Sequence, residues 1–307
     1  MRDGAGRARP RMIRAAVARG NRRGCAMPRR LAAAARARYA AAMRARDRWL
    51  VNTTDVELWP AWLLRPRANA DARVVAQSRW VLRRKRDGRF LAAAWDDRLV
   101  ALVPRLDREP GVHDAIAASA ATPPTGGEVR VRTLPLRRLQ ARLDALGLEA
   151  ERYAERTGLG LVAEPDRLAL AGFDRFRRPL WLHPSGARAW ARMRADALHA
   201  GIVLEAVSGY RSHDYQLGIF ERKRARGLAL DEILAVNAAP GYSEHHSGRA
   251  LDIATPGEPP AEASFERTAA FAWLCAEAPA HGFTLSYPRD NPHGIVYEPW
   301  HWYHRDA

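Results

Sequence analysis

Six of the ten histidines in this chain of 307 residues lie in its last 63 positions: His245, His246, His281, His293, His301 and His304. Two short segments there carry residue types that hold metals. In the first, Asp252 sits between Leu251 and Ile253 in an expected strand, seven positions after His245, with Gly248 between them. A carboxylate buried in such a strand needs a cation or strong donors. A zinc ion would serve, with His245 as a second ligand and Gly248 letting the loop fold back. The plainer alternative is a surface loop and an exposed acid. In the second segment, His301 stands between Trp300 and Trp302, and Glu298 precedes it by three. Side chains an odd number apart on a regular strand point to opposite faces. Pro299 breaks the ladder, so Glu298 can bend toward the cavity of His301. The plainer alternative here is a Trp-rich core strand with a satisfied histidine.

Taken together, His245, Asp252 and His301 supply three N/O ligands and leave a fourth zinc position for water, the arrangement of a catalytic site. Zinc makes water acidic near neutrality, so Glu298 suffices as the base that takes its proton. Ser208-Gly209-Tyr210-Arg211-Ser212 closes an expected strand and offers the Arg211 guanidinium to a carboxylate or an oxyanion. Other chemistries lack their residues. No glycine-rich dinucleotide or phosphate loop occurs, and neither does His-Glu-x-x-His. The stretch from Gly241 to His245 lacks the closing glycine of a nucleophile elbow. The only lysines, Lys85 and Lys223, follow Leu82 and Phe220 by three, so no Ser-x-x-Lys exists.

The elements that must position these residues read as follows. Pro184–His199 is an amphipathic helix through Trp190, Met193, Ala197 and Leu198, stopped by Gly201. Ile202–Val207 is a β-rich run, and Ser212 caps a helix over Tyr215–Arg226. Asp231–Val236 is a short helix, Arg249–Ala254 a strand, Phe265–Ala278 a helix and Val296–Tyr303 a last strand. Upstream, residues 79–103 read as a meander with a turn at Asp87-Gly88 and another at Asp96-Asp97. Residues 120–128 form a linker, and 135–157 a helix interrupted at Gly147. Helices and strands mix without βαβ alternation, which favours an α+β fold. The expected division is a basic arm over 1–48, an accessory region over 49–165 and a zinc domain over 166–307.

Four ordered blocks resemble the VanY-type D-alanyl-D-alanine carboxypeptidases, zinc peptidases of the group that includes the hedgehog fold. They are Ser208–Ser212 with Tyr215-Gln216, then 240–253 from Pro240 to Ile253, then 282–288 from Gly282 to Pro288, and Glu298–His301. The resemblance covers residues 179–304. It implies a small antiparallel sheet with packed helices holding one zinc ion per chain. It implies His245, Asp252 and His301 as ligands, with Glu298 as base and then as the acid that protonates the leaving amine. Arg211 would steady the scissile carbonyl or the terminal carboxylate, and Gln216, Ser243, Ser286 and Tyr287 would line the substrate site. The implied reaction is zinc-dependent hydrolysis of the C-terminal peptide bond of peptidoglycan stem peptides. L,D-carboxypeptidase and D,D-dipeptidase specificity use the same metal chemistry. A non-catalytic zinc module that binds cell wall or a partner is the alternative of another class, and Glu298 and Arg211 argue against it. An arginine expected soon after the last ligand is replaced by Trp302-Tyr303-His304.

Composition bounds the rest. The net charge is +16, and 48 of the 50 basic residues are arginines. Residues 1–50 hold fifteen arginines and two acids, so the other 257 sum to only +3. The basicity is local, and no specific nucleic-acid partner is expected. With 47% apolar residues the chain can bury a core. Cys25 and Cys275 are too few for a disulfide framework or a cysteine zinc knuckle. No stretch of about 18 apolar residues offers a membrane span. Arg36 and Arg38 interrupt the best apolar run of a signal, so residence in the cytoplasm is expected of the chain as written. A start at Met12, Met27 or Met43 would leave the cell envelope open. The oligomeric state is not legible.

Overall fold

The computed structural model describes residues 48–95, 98–122 and 130–306. The basic arm up to residue 47, the Asp96-Asp97 turn and most of the 120–128 linker lie outside the described residues. The elements in order are β1 (Trp49–Asn52), β2 (Val56–Pro60), α1 (Asn69–Gln77), β3 (Trp80–Arg84), β4 (Phe90–Trp95) and β5 (Arg98–Ala101). They continue with α2 (Val112–Ala120), α3 (Leu139–Asp144), α4 (Ala150–Thr157), β6 (Arg167–Phe173), β7 (Pro179–Leu182) and α5 (Pro184–His199). The remainder are β8 (Glu205–Ser208), α6 (His213–Arg224), α7 (Leu230–Leu234), β9 (Ala250–Ala254), α8 (Ala269–Glu277), β10 (Phe283–Leu285) and β11 (His301–His304).

Among the described residues the strands form two sheets, and the fold is α+β. One sheet has seven strands in the order β5-β4-β3-β2-β1-β6-β7; the other has four in the order β10-β11-β9-β8. All pairings are antiparallel. The seven-stranded sheet crosses the division expected at 165/166. β1 pairs with β6, matching Leu50 with Leu168, so the two halves share one hydrogen-bonded ladder. The segment 135–157 also reaches across. It forms two helices rather than one, because Gly147 turns the chain at φ +73°. Leu139, Leu143 and Tyr153 from this segment pack with Phe220, Ile233 and Tyr242 in one apolar cluster.

The four-stranded sheet is held from one side by α5 and α8. Trp190, Met193 and Ala197 recur at helical spacing and pack against Leu251, Ile253, Leu274, Phe283 and Trp302. Pro184 occupies the first turn of α5, where its missing N–H costs nothing, and Gly201 follows its end at φ +77°. The Ser212 hydroxyl accepts from the Tyr215 N–H and starts α6 where the sequence places a cap. The last strand is shorter than expected. It begins at His301, because the His301 N–H turns back to the Glu298 carbonyl around Pro299. No helix among the described residues is long and apolar enough to cross a membrane.

Candidate metal centre

Strand register builds the centre. β9 lies between β8 and β11, and its Asp252 stands opposite His301. Residues directly opposite on antiparallel strands share a face. His245 comes from a single 3-10 turn, Glu244–Ser247, that leads into β9. Gly248 ends that turn at φ +68°, and a Cβ there would come within 2.9 Å of the His183 nitrogen. Only glycine lets the chain turn back this close to β7.

One ligand atom each from His245, Asp252 and His301 falls within 4.8 Å of the others, and all three residues are buried. The outer nitrogen of each ring is anchored. His245 Nδ1 donates to the Gly209 carbonyl at 2.7 Å. His301 Nε2 donates to a Glu244 carboxylate oxygen at 2.9 Å. These anchors turn His245 Nε2 and His301 Nδ1 inward, toward Asp252 Oδ1 at 3.3 and 3.1 Å. Such outer partners fix ring orientation and tautomer in metal-ligating histidines. Two inward imidazole nitrogens and a carboxylate are a donor set that fits a divalent ion such as zinc.

The electrostatics draw positive charge to Asp252. Burial works against the charge of Asp252, yet His245, His301 and Arg211 hold its carboxyl well below the usual range. Burial and the Arg211 guanidinium press His245 down to about 4, which leaves it neutral. Burial opposes charge on His301 as well, but hydrogen bonds to Asp252 and Glu244 carry it up to about 10. A positive charge already sits against these atoms: Arg211 Nη2 is 2.6 Å from His245 Nε2 and 2.9 Å from Asp252 Oδ2.

Glu298 joins the group as expected from the bend at Pro299. One of its oxygens is 3.8 Å from His301 Nδ1. Burial, with Asp252 and Glu244 nearby, raises its carboxyl to about 7 against the pull of His301 and Arg211. The cluster opens on a cavity of about 350 Å³ bordered by Arg211, Gln216, Ser243, Tyr287 and Glu298. Ser286 is placed differently: it stands beside Glu244 and does not border the cavity.

Three contributors were not singled out from the sequence. Glu244 lies inside the 240–253 block, but its bond to His301 spans 57 positions. Lys223 borders the cavity, which no local pattern announces. His246, adjacent to a ligand, turns the other way: its Nδ1 donates to the Arg211 carbonyl at 2.7 Å, and its Nε2 accepts from the Gly241 N–H.

The region that holds this cluster is similar to known proteins. The family model described as D-alanyl-D-alanine carboxypeptidase (VanY) matches residues 179–306. The chain is 36% identical over 125 residues to the protein YodJ of Bacillus subtilis (strain 168), covering 39% of this chain and 45% of that one. It is 31% identical over 134 residues to a D-alanyl-D-alanine carboxypeptidase of Enterococcus faecium, covering 42% of this chain and 39% of the relative. The chain therefore spans less than half the length of these two relatives. Among solved structures, the LD-carboxypeptidase LdcB aligns with a TM-score of 0.40 and 31% identity, over 43% of this chain and 64% of that one. Residues 179–306, the stretch that matches the D-alanyl-D-alanine carboxypeptidase (VanY) family model, contain the whole buried cluster.

Proposed function

We propose that the protein is a zinc-dependent D-alanyl-D-alanine carboxypeptidase acting on the C-terminal peptide bond of peptidoglycan stem peptides. The observation that carries this reading is the pair of inward-turned histidine nitrogens around Asp252, with Glu298 beside them on a cavity wall. His245, Asp252 and His301 would hold the zinc ion. When bound, zinc supplies Lewis acidity, which makes water acidic near neutrality and polarises a carbonyl.

The chain's own groups do the rest. Glu298 accepts the proton of the attacking water and returns it to the departing amine nitrogen. A carboxyl raised to about 7 suits both transfers, since general acid–base catalysis works best near the operating pH. Arg211 donates from Nη2 to the carbonyl oxygen as negative charge develops there, or to the terminal carboxylate of the peptide. Gln216, Ser243 and Tyr287 line the cavity and would orient the peptide; Ser286, beside Glu244, would act on the wall behind them. Glu244 holds the His301 ring in its ligating orientation.

The test is D-alanine release from a pentapeptide ending in D-Ala-D-Ala, compared with a tetrapeptide and free D-Ala-D-Ala, with and without a chelator. Chelator-sensitive release from the pentapeptide is expected. Release that ignores the chelator would overturn the metal assignment. Release from the tetrapeptide alone would move the specificity to L,D-cleavage, and cleavage of the free dipeptide alone would move it to a dipeptidase.

A further inference from the structure

Outside the VanY-matched region, a second buried polar cluster reaches the same loop that carries Arg211. Its centre is Glu164, which lies in neither sheet. Glu164 Oε2 receives Lys85 Nζ at 2.6 Å, the Tyr210 hydroxyl at 2.5 Å and Asn52 Nδ2 at 3.2 Å. Its Oε1 accepts the backbone N–H of His213 at 2.9 Å. Lys85 follows β3 and Asn52 ends β1, so both donors come from the N-terminal half of the chain. Tyr210 and His213 flank Arg211 at one and two positions. Lys85 and Glu164 are both buried, at 2% and 4% exposure.

The loop is held at further points. The Tyr210 N–H donates to the Trp181 carbonyl at 3.0 Å, and the Arg211 N–H to the His245 carbonyl at 3.2 Å. The Arg211 carbonyl accepts from His246 Nδ1. The His246 ring packs edge-on against His213 at 4.3 Å between centroids. Gly209 leaves no room for movement: a Cβ there would lie 2.8 Å from Leu180 and 2.9 Å from Leu182. The side chain of Arg211 thus leaves a backbone anchored on both sides, with Glu164 holding the residues before and after it.

We infer that Glu164, neutralised by Lys85, is a positioning residue for Arg211, so that residues 49–165 complete the active site rather than append to it. This rests on the role proposed above for Arg211. An ionised, fully bonded carboxylate suits the task because its four donors come from three separate segments and converge on one point. A guanidinium displaced by about 1 Å would lose alignment with a developing oxyanion, and misplacement of that size costs on the order of 100-fold in rate.

The experiment is a double-mutant cycle on the full chain. Glu164→Gln keeps size and one acceptor but removes the charge. It should lower kcat for D-alanine release by about 10–100-fold, with KM changed less than about 3-fold and zinc content unchanged. In an Arg211→Ala background the same substitution should add nothing, because its effect runs through Arg211. Equal losses in both backgrounds would overturn the proposal. Should Glu164→Gln fail to fold, Lys85→Met/Glu164→Gln removes both charges, and Tyr210→Phe removes only the hydroxyl that donates to Glu164 and accepts from Asn52; each enters the same cycle. Amide hydrogen exchange at residues 210–213 supplies a readout that needs no activity. Faster exchange in the variants is expected, and unchanged exchange would overturn the clamp. If the wild-type protein releases no D-alanine while these amides still lose protection, the proposed reaction fails and the clamp stands.

Discussion

Two buried polar clusters share the loop from Ser208 to His213, and they are built on opposite principles. Around Glu164 every carboxylate oxygen is taken by a donor of the chain itself: Lys85, Tyr210, Asn52 and the His213 backbone. That cluster is closed. Around Asp252 the histidines use their outer nitrogens on Gly209 and Glu244 and turn the inner ones toward the carboxylate, beside a cavity. A closed cluster satisfies the cost of burying charge and holds shape. A convergent one gathers acceptors at a cavity, where Arg211 meets them and where a cation from solution could take its place. The arrangement of partners, more than burial or charge, separates the two clusters.

The largest effects should come from the convergent cluster. His301→Ala removes a proposed ligand, and zinc content and D-alanine release should fall together, the latter by more than about 1,000-fold. Glu298→Gln should keep zinc and lose about 100–10,000-fold in kcat. Elemental analysis beside a D-alanine assay separates the two; a Glu298→Gln protein with full activity would remove its role as base. The closed cluster should answer in stability instead. Glu164→Ala strands Lys85 as a buried unpaired cation and should cost about 3–5 kcal/mol in urea unfolding, with a comparable fraction of metal bound by whatever remains folded. A cost below about 1 kcal/mol would mean that the ion pair is solvated and the contrast between clusters is wrong.

A smaller effect is expected at the outer anchor of the convergent cluster. Glu244→Gln should weaken zinc binding about 10–100-fold in competition with a chelator, without unfolding the chain. The least of the expected effects concerns pH. Burial works against the charge of Glu164, but Lys85 and its other donors hold its carboxyl far below the ordinary value of 4.5. The unfolded chain therefore takes up this proton first as pH falls. The stability from Glu164 is complete above about 4.5 and drains away below it. Unfolding midpoints measured from about pH 6 to pH 3 should fall more steeply for the wild type than for Glu164→Gln. Parallel curves would show that the carboxylate is not held in its charged form.

The site was more legible than the fold around it. His245, Asp252, His301, Glu298 and Arg211 were all readable as candidates, because metal and proton chemistry restrict the residue types and their local spacing. The bend at Pro299 was readable for the same reason: proline cannot continue a ladder. The start of β11 was not. An aromatic run from Val296 has strand propensity throughout, and only the bond from the His301 N–H to the Glu298 carbonyl limits it. The role of residues 49–165 was also hidden. Lys85 and Glu164 stand 79 positions apart, and a lone lysine and a lone glutamate carry no pattern. His246 showed the converse: its neighbour is a ligand candidate, but its own ring faces Arg211.

By itself, the amino-acid sequence determined which donors exist, their order along the chain, the helix capped at Ser212 and the glycine that folds the chain back at position 248. These depend on local chemistry and on backbone conformations accessible within a few residues. Only the tertiary structure decided which nitrogen of each histidine turns inward, that Glu244 anchors one of them, and that the N-terminal half grips the Arg211 loop through Glu164. Those outcomes depend on strand register and on contacts between distant segments, where burial forces every polar group to find a partner and sequence distance no longer says which one is near.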